Sequence, residues 1–357
     1  MQHFERGRLH GHNIVAVLPG SAPEQQAGHV VIGAHYDHLG HGQTGSLALF
    51  GEKGEIHNGA DDNASGSAAL LEIAEAFATL EPRPERSVVF VWFDAEEQGL
   101  IGSQYYVEHP RFPLRRCAAM FNLDMVGRAR DGRVAVLGAT SGEGLERIVL
   151  GAARRNRLDA TLVPYMVPNS DHFSFYRKKV PVAFFTTGLH ADYHRPSDDA
   201  DRIDMQTLVR IARCAFDAAR TVAATAGPRP AWHEVRSAPF GFMALELLEG
   251  LTGREGFGKL ARALYGPVAG AVVLPSEHGL EVLYVEPDSA LAEAGVRAGD
   301  RLEAARGGLL GSRRHALGGR LGRLRLWAAL TGPPATLELR RGDRSLSIPF
   351  PPRHDAR

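Results

Sequence analysis

The sequence predicts an α/β fold, a mostly parallel mixed sheet flanked by helices, followed by a small α+β domain. Three observations predict it. Short apolar, β-branched runs alternate with longer amphipathic ones through about residue 225. The short runs are continuously apolar, which suits strands covered by helices on both faces. A stretch rich in proline and glycine, Gly227-Pro-Arg-Pro-Ala231, then closes the pattern and marks a domain boundary.

In chain order, strands are expected at Asn13–Leu18, His29–Ala34, Ser87–Phe93, Ala118–Leu123, Arg133–Leu137 and Val180–Thr186. Helices are expected at Ser65–Leu80, Gly144–Arg155 and Met205–Ala224, where apolar residues recur at helical spacing. In the first helix Leu70, Ile73, Ala74 and Phe77 form a stripe that belongs to the core. The domains read as 1–226, a linker over 227–235, a second domain over 236–351 with an insertion around 251–275, and a tail over 352–357.

Composition narrows the function classes. The 357 residues are 44% hydrophobic and 23% charged, ordinary for a globular protein, with no apolar run long enough to cross a bilayer. Lys plus Arg number 41, as do Asp plus Glu, so no global field draws the chain to nucleic acid or anionic lipid. The two cysteines, Cys117 and Cys214, lie in apolar segments and read as buried free thiols, with a disulfide as the alternative. The N-terminal stretch lacks the apolar core of a secretory signal. The expected location is therefore exported if a leader has been removed, and cytoplasmic otherwise.

Four predicted strands end in polar signatures: His35-Tyr-Asp37, Glu96-Glu97, Asp124, and His190 to His194. Ligands of open α/β sheets bind at the carboxyl edge of the strands, so these groups can converge. A fifth signature, Gly59-Ala-Asp-Asp-Asn-Ala-Ser-Gly66, opens a helix. Singly, each has a structural reading: a hydrogen-bonded histidine, a solvated Glu-Glu pair, a helix N-cap. Together, Asp62, Glu97, Asp124, His35 and His194 supply the carboxylates and imidazoles that zinc or a related divalent ion takes. Two divalent ions would be nearly neutralised by the three carboxylates and one hydroxide, which favours burial.

These motifs, with Glu96-Glu97-Gln-Gly99, Asn122-Leu-Asp124 and Tyr193-His194-Arg-Pro-Ser-Asp198, resemble those of the co-catalytic zinc aminopeptidases (clan MH) of the bacterial leucyl, Streptomyces and yeast Y types. The resemblance covers about residues 13 to 225. It implies a zinc-peptidase fold of the phosphorylase/hydrolase-like kind, removal of N-terminal residues from peptides or proteins, and two Zn2+ per chain or another divalent metal. It also implies that Asp62 bridges both ions, with His35 and Asp124 completing one site and Glu97 and His194 the other. A cis peptide between Asp62 and Asn63 comes with it. Asp37 is then expected to hold the other ring nitrogen of His35. Glu96, next to a ligand but free of coordination, is the expected general base.

Ser170-Asp171-His172 resembles a family segment near the substrate pocket, with a capped turn as the alternative, and Tyr193 either reaches the reaction centre or packs beside His194. His38, His41 and His57 read as solvated histidines of a glycine-rich loop. Beyond the linker, Gly279 to Asp300 resembles the strand, short helix and Ala-Gly-x-x-x-Gly-Asp turn of PDZ domains, and Ala335 to Phe350 reads as a terminal hairpin. Phe240-Gly-Phe-Met243 would then be a loop for a peptide C-terminus, separated from the next strand by a stretch with helical texture over Gly256–Tyr265. Competing functions are another zinc amidohydrolase or carboxypeptidase, a glutaminyl cyclase with a single zinc, and a non-catalytic receptor or scaffold, which would have lost ligands.

Overall fold

A computed structural model describes residues 1–238 except 8, 49–51, 53, 130, 131, 164, 225 and 226, and residues 271–350 except 277, 278, 286–288, 298, 311, 318–324, 327, 328, 331–333, 342 and 343. The chain divides into two compact units, Met1–Ala238 and Pro239–Arg357.

The first unit is built on an eight-stranded sheet of order β1-β2-β4-β3-β5-β8-β6-β7. Its strands are β1 (Gln2–Arg6), β2 (Leu9–Leu18), β3 (His29–His35), β4 (Ser87–Phe93), β5 (Cys117–Leu123), β6 (Arg133–Leu137), β7 (Asp159–Val163) and β8 (Val182–Thr186). The helices are α1 (Glu24–Ala27), α2 (Gly66–Ala78), α3 (Ile101–Glu108), α4 (Leu145–Arg155), α5 (His172–Arg177) and α6 (Met205–Ala223). The four central strands β4, β3, β5 and β8 run parallel, and every residue in them is buried. Burial on both faces explains their unbroken apolar character. β2 joins β4, and β6 joins β8, in antiparallel fashion.

Alternate residues of each strand feed two core layers. Val30, Ile32, Val88, Phe90 and Phe121 pack with Leu70, Ile73 and Phe77 of α2 and Ile211 of α6. On the other face Val31, Val89, Phe93 and Met120 pack with Tyr106 of α3 and Phe175 of α5. Cys117 and Cys214 are buried free thiols. Among the described residues, no helix is long and apolar enough to cross a membrane.

Five named elements of the first unit are additional to those expected from sequence: β1, β7, α1, α3 and α5. β1 and β7 are edge strands with little buried surface, α1 is a single turn, and α3 and α5 are short and bury polar residues, Ser103 and Tyr106 in one and His172 and Ser174 in the other. β8 begins after Pro181 rather than at Val180, since proline has no N–H for a ladder. The expected linker is corrected too. Residues 227–238 stay on the first unit, with Trp232 bridged to Gly142 and Ser237 to Met166. The buried Val235 donates its N–H to the Tyr176 hydroxyl at 2.8 Å. An apolar side chain and a satisfied backbone hold this segment down.

Among its described residues the second unit has an antiparallel sheet of order β14-β13-β11-β10-β9, with β12 paired to β11, and a short helix before β11. Its elements are β9 (Ala271–Ser276), β10 (Gly279–Val285), α7 (Ala290–Glu293), β11 (Arg301–Gly307), β12 (His315–Ala316), β13 (Ala335–Arg341) and β14 (Arg344–Phe350). Leu280, Val282, Leu291, Leu302 and Leu337 fill its core. The turn before β11 closes on buried Asp300, whose two oxygens each take a 2.7 Å hydrogen bond from the Arg341 guanidinium. The expected strand, helix and turn over 279–300 and the terminal hairpin are thus present. Phe240–Met243 and Gly256–Tyr265 lie outside the described residues, and the end of the expected insertion, Ala271–Pro275, lies within β9.

Candidate metal centre

The parallel order of β4, β3, β5 and β8 sets their carboxyl ends side by side. His35 is the last residue of β3, Asp124 follows β5 directly, Glu96 and Glu97 lie just past β4, and the loop after β8 carries His190 and His194. Asp62 comes from the tight turn that enters α2, with φ −107° and ψ 87°. The Asp62–Asn63 peptide is cis. Ala95, Met125 and His194 adopt φ of 55°, 54° and 56°, a left-handed conformation that L side chains rarely take. Such residues cluster where a site demands them.

Two donor sets meet at Asp62. On one side His35 Nε2 lies 3.2 Å from Asp62 Oδ1 and 3.3 Å from Asp124 Oδ1. On the other, His194 Nε2 lies 3.3 Å from Asp62 Oδ2 and 3.1 Å from Glu97 Oε2. Asp62 therefore turns one oxygen to each set. Donors that share a tetrahedral ion at roughly 2.0 Å stand roughly 3.3 Å apart, so these separations fit metal ligation. His194 Nε2 is buried and, among the described residues, faces no polar partner but these two carboxylates.

The chain around the ligands is held by carboxylates that are not themselves in the donor sets. Asp37 accepts the backbone N–H of Glu96 at 3.0 Å and of Glu97 at 3.3 Å. His35 Nδ1 bonds the Asp37 carbonyl oxygen at 3.1 Å, while the carboxylate is 3.5 Å away. Asp37 therefore does hold the other ring nitrogen of His35, with its carbonyl oxygen nearest and its carboxylate close behind. Buried Asp198 Oδ2 accepts the N–H groups of Asp61 and Asp62 at 2.9 and 3.1 Å. Asp61 in turn takes the Gly127 N–H at 2.6 Å and sits 3.2 Å from His190 Nε2. Arg128 adds a 2.9 Å ion pair to Asp192.

Burial disfavours charge on Asp62, yet hydrogen bonds from His194 and His35 hold its carboxyl well below the usual range. Glu97 is likewise lowered against its burial, through His194 and His38. Burial opposes charge on His35, but Asp124 and Glu96 raise its pKa well above the ordinary value. Glu96 is raised by burial, with His35 opposing and Asp124 adding to the rise.

The structure gathers His35, Asp62, Glu97, Asp124 and His194 as one cluster, with Glu96 beside it. Tyr193 stacks on His194 with ring centroids 3.8 Å apart. Asp171 and His172 lie beneath the site, with Asp171 close enough to His35 and Asp124 to feel their charge. Both are fully buried, with His172 stacked on Phe184 at 4.5 Å and its pKa pushed down to about 3 by burial. They open α5, whose packing under the sheet seals them from solvent. Sequence reading also missed His38, taken for a solvated loop residue: its Nδ1 lies 2.7 Å from Glu97 Oε1. Asp198 and His190 were missed as well. The adjacent Asp61-Asp62 pair signals only that two buried acids in a row require partners, not which residues supply them. A groove of about 450 Å³ opens on this side, walled by Ile14, Tyr36, His38, Leu71 and Trp92.

A cluster of three carboxylates and two imidazoles at the carboxyl edge of a parallel sheet defines an α/β protein with a metal centre. The chain belongs to peptidase family M28, whose model matches residues 13–219. It is 33% identical over 133 residues to leupeptin-inactivating enzyme 1 of Streptomyces exfoliatus, covering 37% of this chain and 26% of that protein. It is 30% identical over 161 residues to aminopeptidase YwaD of Bacillus subtilis (strain 168), covering 42% of this chain and 34% of that protein. The chain thus spans between a quarter and about a third of these relatives. The solved aminopeptidase from Aneurinibacillus sp. strain AM-1 matches with a TM-score of 0.50 and 29% identity, over 65% of this chain and 52% of that one. A zinc aminopeptidase from Bacillus subtilis shares the fold, with a TM-score of 0.51 at 23% identity over 64% of this chain and 55% of that one.

Proposed function

We propose that the first unit is a zinc peptidase that holds two zinc ions and removes N-terminal residues from peptides. The observation that carries the reading is Asp62, which turns one oxygen to each of two donor sets. His35 and Asp124 would complete one ion site, and His194 and Glu97 the other. Relatives named as aminopeptidases support the substrate class.

When bound, the ions polarise the scissile carbonyl and make water a better nucleophile. The chain supplies the rest. Glu96 is left out of both donor sets, and Asp37 holds its N–H, so its carboxylate is available to take a proton from water and return it to the leaving amine. Burial, which raises its pKa, strengthens it as an acceptor. Burial and the nearby acids also raise the Tyr193 pKa, so its hydroxyl remains a hydrogen-bond donor beside His194.

The test pairs metal analysis with hydrolysis of matched peptides bearing free and acetylated N-termini. Zinc near two per chain and cleavage confined to the free peptide are expected. Equal cleavage of both defeats aminopeptidase action, and saturation near one zinc per chain defeats the two-ion centre.

A further inference from the structure

We propose that His38 is a positioning residue for the centre: its Nδ1–H grips Glu97 Oε1, so that Glu97 presents only Oε2 toward the ion site it shares with His194 and Asp62. The inference rests on the two-ion reading above and concerns a residue outside the five ligands.

Distance decides between ligand and support. The four contacts of the donor sets fall between 3.1 and 3.3 Å, the spacing of atoms that share one ion. His38 Nδ1 stands at 2.7 Å from Glu97 Oε1, the length of a charge-assisted N–H···O hydrogen bond. Glu97 Oε2 faces His194 Nε2 instead, at 3.1 Å. The two oxygens of one carboxylate are thus divided between a hydrogen bond and a ligand position. Without His38, Glu97 could rotate and offer both oxygens.

The seat of His38 is built for this. A Cβ on Gly59 would lie 2.6 Å from His38 Cδ2 and Cγ, so only glycine leaves room for the ring there. The ring meets His194 edge to face with centroids 5.8 Å apart. The side chain is 10% exposed, and its Nε2 is buried without a hydrogen-bond partner among the described residues. The hydrogen bond to Glu97 requires the tautomer with the proton on Nδ1 and leaves Nε2 bare. A ring nitrogen of His38 also lies close enough to Asp62 and Glu97 to serve as a metal ligand, which makes direct coordination the rival reading.

The full chain is compared with His38→Ala and His38→Asn by competitive zinc titration, and by the visible absorption of the cobalt(II)-loaded proteins. Outer partners of metal ligands typically contribute 10–100-fold in affinity. His38→Ala is expected to weaken one of the two zinc sites by about that factor and leave the other within a few-fold. His38→Asn, whose amide N–H can replace Nδ1–H, is expected to recover most of the loss, and the cobalt bands of loaded His38→Ala should keep their wild-type positions. Unchanged affinity in His38→Ala, with two ions on the wild type, overturns the role of His38 alone. Shifted cobalt bands with no recovery in His38→Asn make His38 a ligand and overturn the proposal. Fewer than two ions on the wild type overturn both the proposal and the reading beneath it.

Discussion

Replacing Glu96 with glutamine separates chemistry from metal binding. The substitution preserves shape and leaves both donor sets whole, because the Glu96 carboxylate belongs to neither. It also leaves the 3.0 Å hydrogen bond between the Glu96 N–H and Asp37, since that bond uses the backbone. What is lost is one ionisable oxygen. Removing a general base lowers turnover by roughly 10²–10⁴. At about 1.4 kcal/mol per tenfold, this is roughly 3–5 kcal/mol of transition-state stabilisation. Folding should not suffer, because burial already disfavours a charged Glu96 and the neighbouring acids Asp124, Asp171 and Glu97 repel it. The assay is kcat and KM on a substrate with a free α-amine, with zinc content and thermal midpoint measured on the same preparation. The expected result is a fall in kcat at full zinc loading with KM within a few-fold. A fully loaded Glu96→Gln protein within tenfold of wild-type kcat refutes the assignment.

Further perturbations test the surroundings. Asp198→Ala strips the acceptor from the Asp61 and Asp62 N–H groups; with each charge-assisted bond worth roughly 1.5–3 kcal/mol, a loss of about 3 kcal/mol or more is expected in denaturant unfolding, together with weaker zinc binding. A loss under about 1 kcal/mol would count against that clamp. Burial pushes Asp171 from 3.8 up to about 7, with His35 opposing, so between these values the folded chain keeps a proton that the unfolded chain has released. Stability of the metal-free protein should therefore fall as pH rises from about 4 to about 7, by up to roughly 4 kcal/mol, and Asp171→Asn should flatten the slope. A slope unchanged in Asp171→Asn would place the titration elsewhere. Chelation should lower the thermal midpoint, because an ion at 1,000 times its Kd adds roughly 4 kcal/mol to the folded state. Calorimetric midpoints that coincide with and without chelator would show that nothing bound the folded form.

The parts legible in the sequence are those where burial leaves one chemical choice. β4, as Ser87-Val-Val-Phe-Val-Trp-Phe93, is apolar throughout because helices cover both its faces, and it is found where the pattern put it. β1 contributes only Phe4 as a buried side chain, which no periodicity can distinguish from a loop. At the site, acids and histidines directly after apolar strands were informative because an unpaired charge at that depth is costly. Depth alone did not settle Asp171 and His172: a polar pair between apolar segments can face a pocket or a core, and α5 turns these inward. His38 and Asp198 were illegible for a further reason. Their roles rest on distances of 2.7 to 3.1 Å to residues 59 and more than 130 positions away, and no local pattern carries that information.

The two outer carboxylates follow the same logic. Asp37 accepts two consecutive N–H groups, those of Glu96 and Glu97, and Asp198 accepts those of Asp61 and Asp62. Each pair includes a residue of the donor sets, Glu97 or Asp62, that lies in a loop or turn where no ladder of backbone hydrogen bonds holds it. A carboxylate that grips two successive amides restrains both position and direction of the peptide between them, and so supplies the rigidity that regular structure would otherwise give. His35 needs no such grip, because it ends a central strand. The pattern of support thus follows the backbone: His35 stands on its own ladder, while Asp62 and Glu97 are held by acids from other segments. His38 extends the same device from the backbone of Glu97 to its carboxylate.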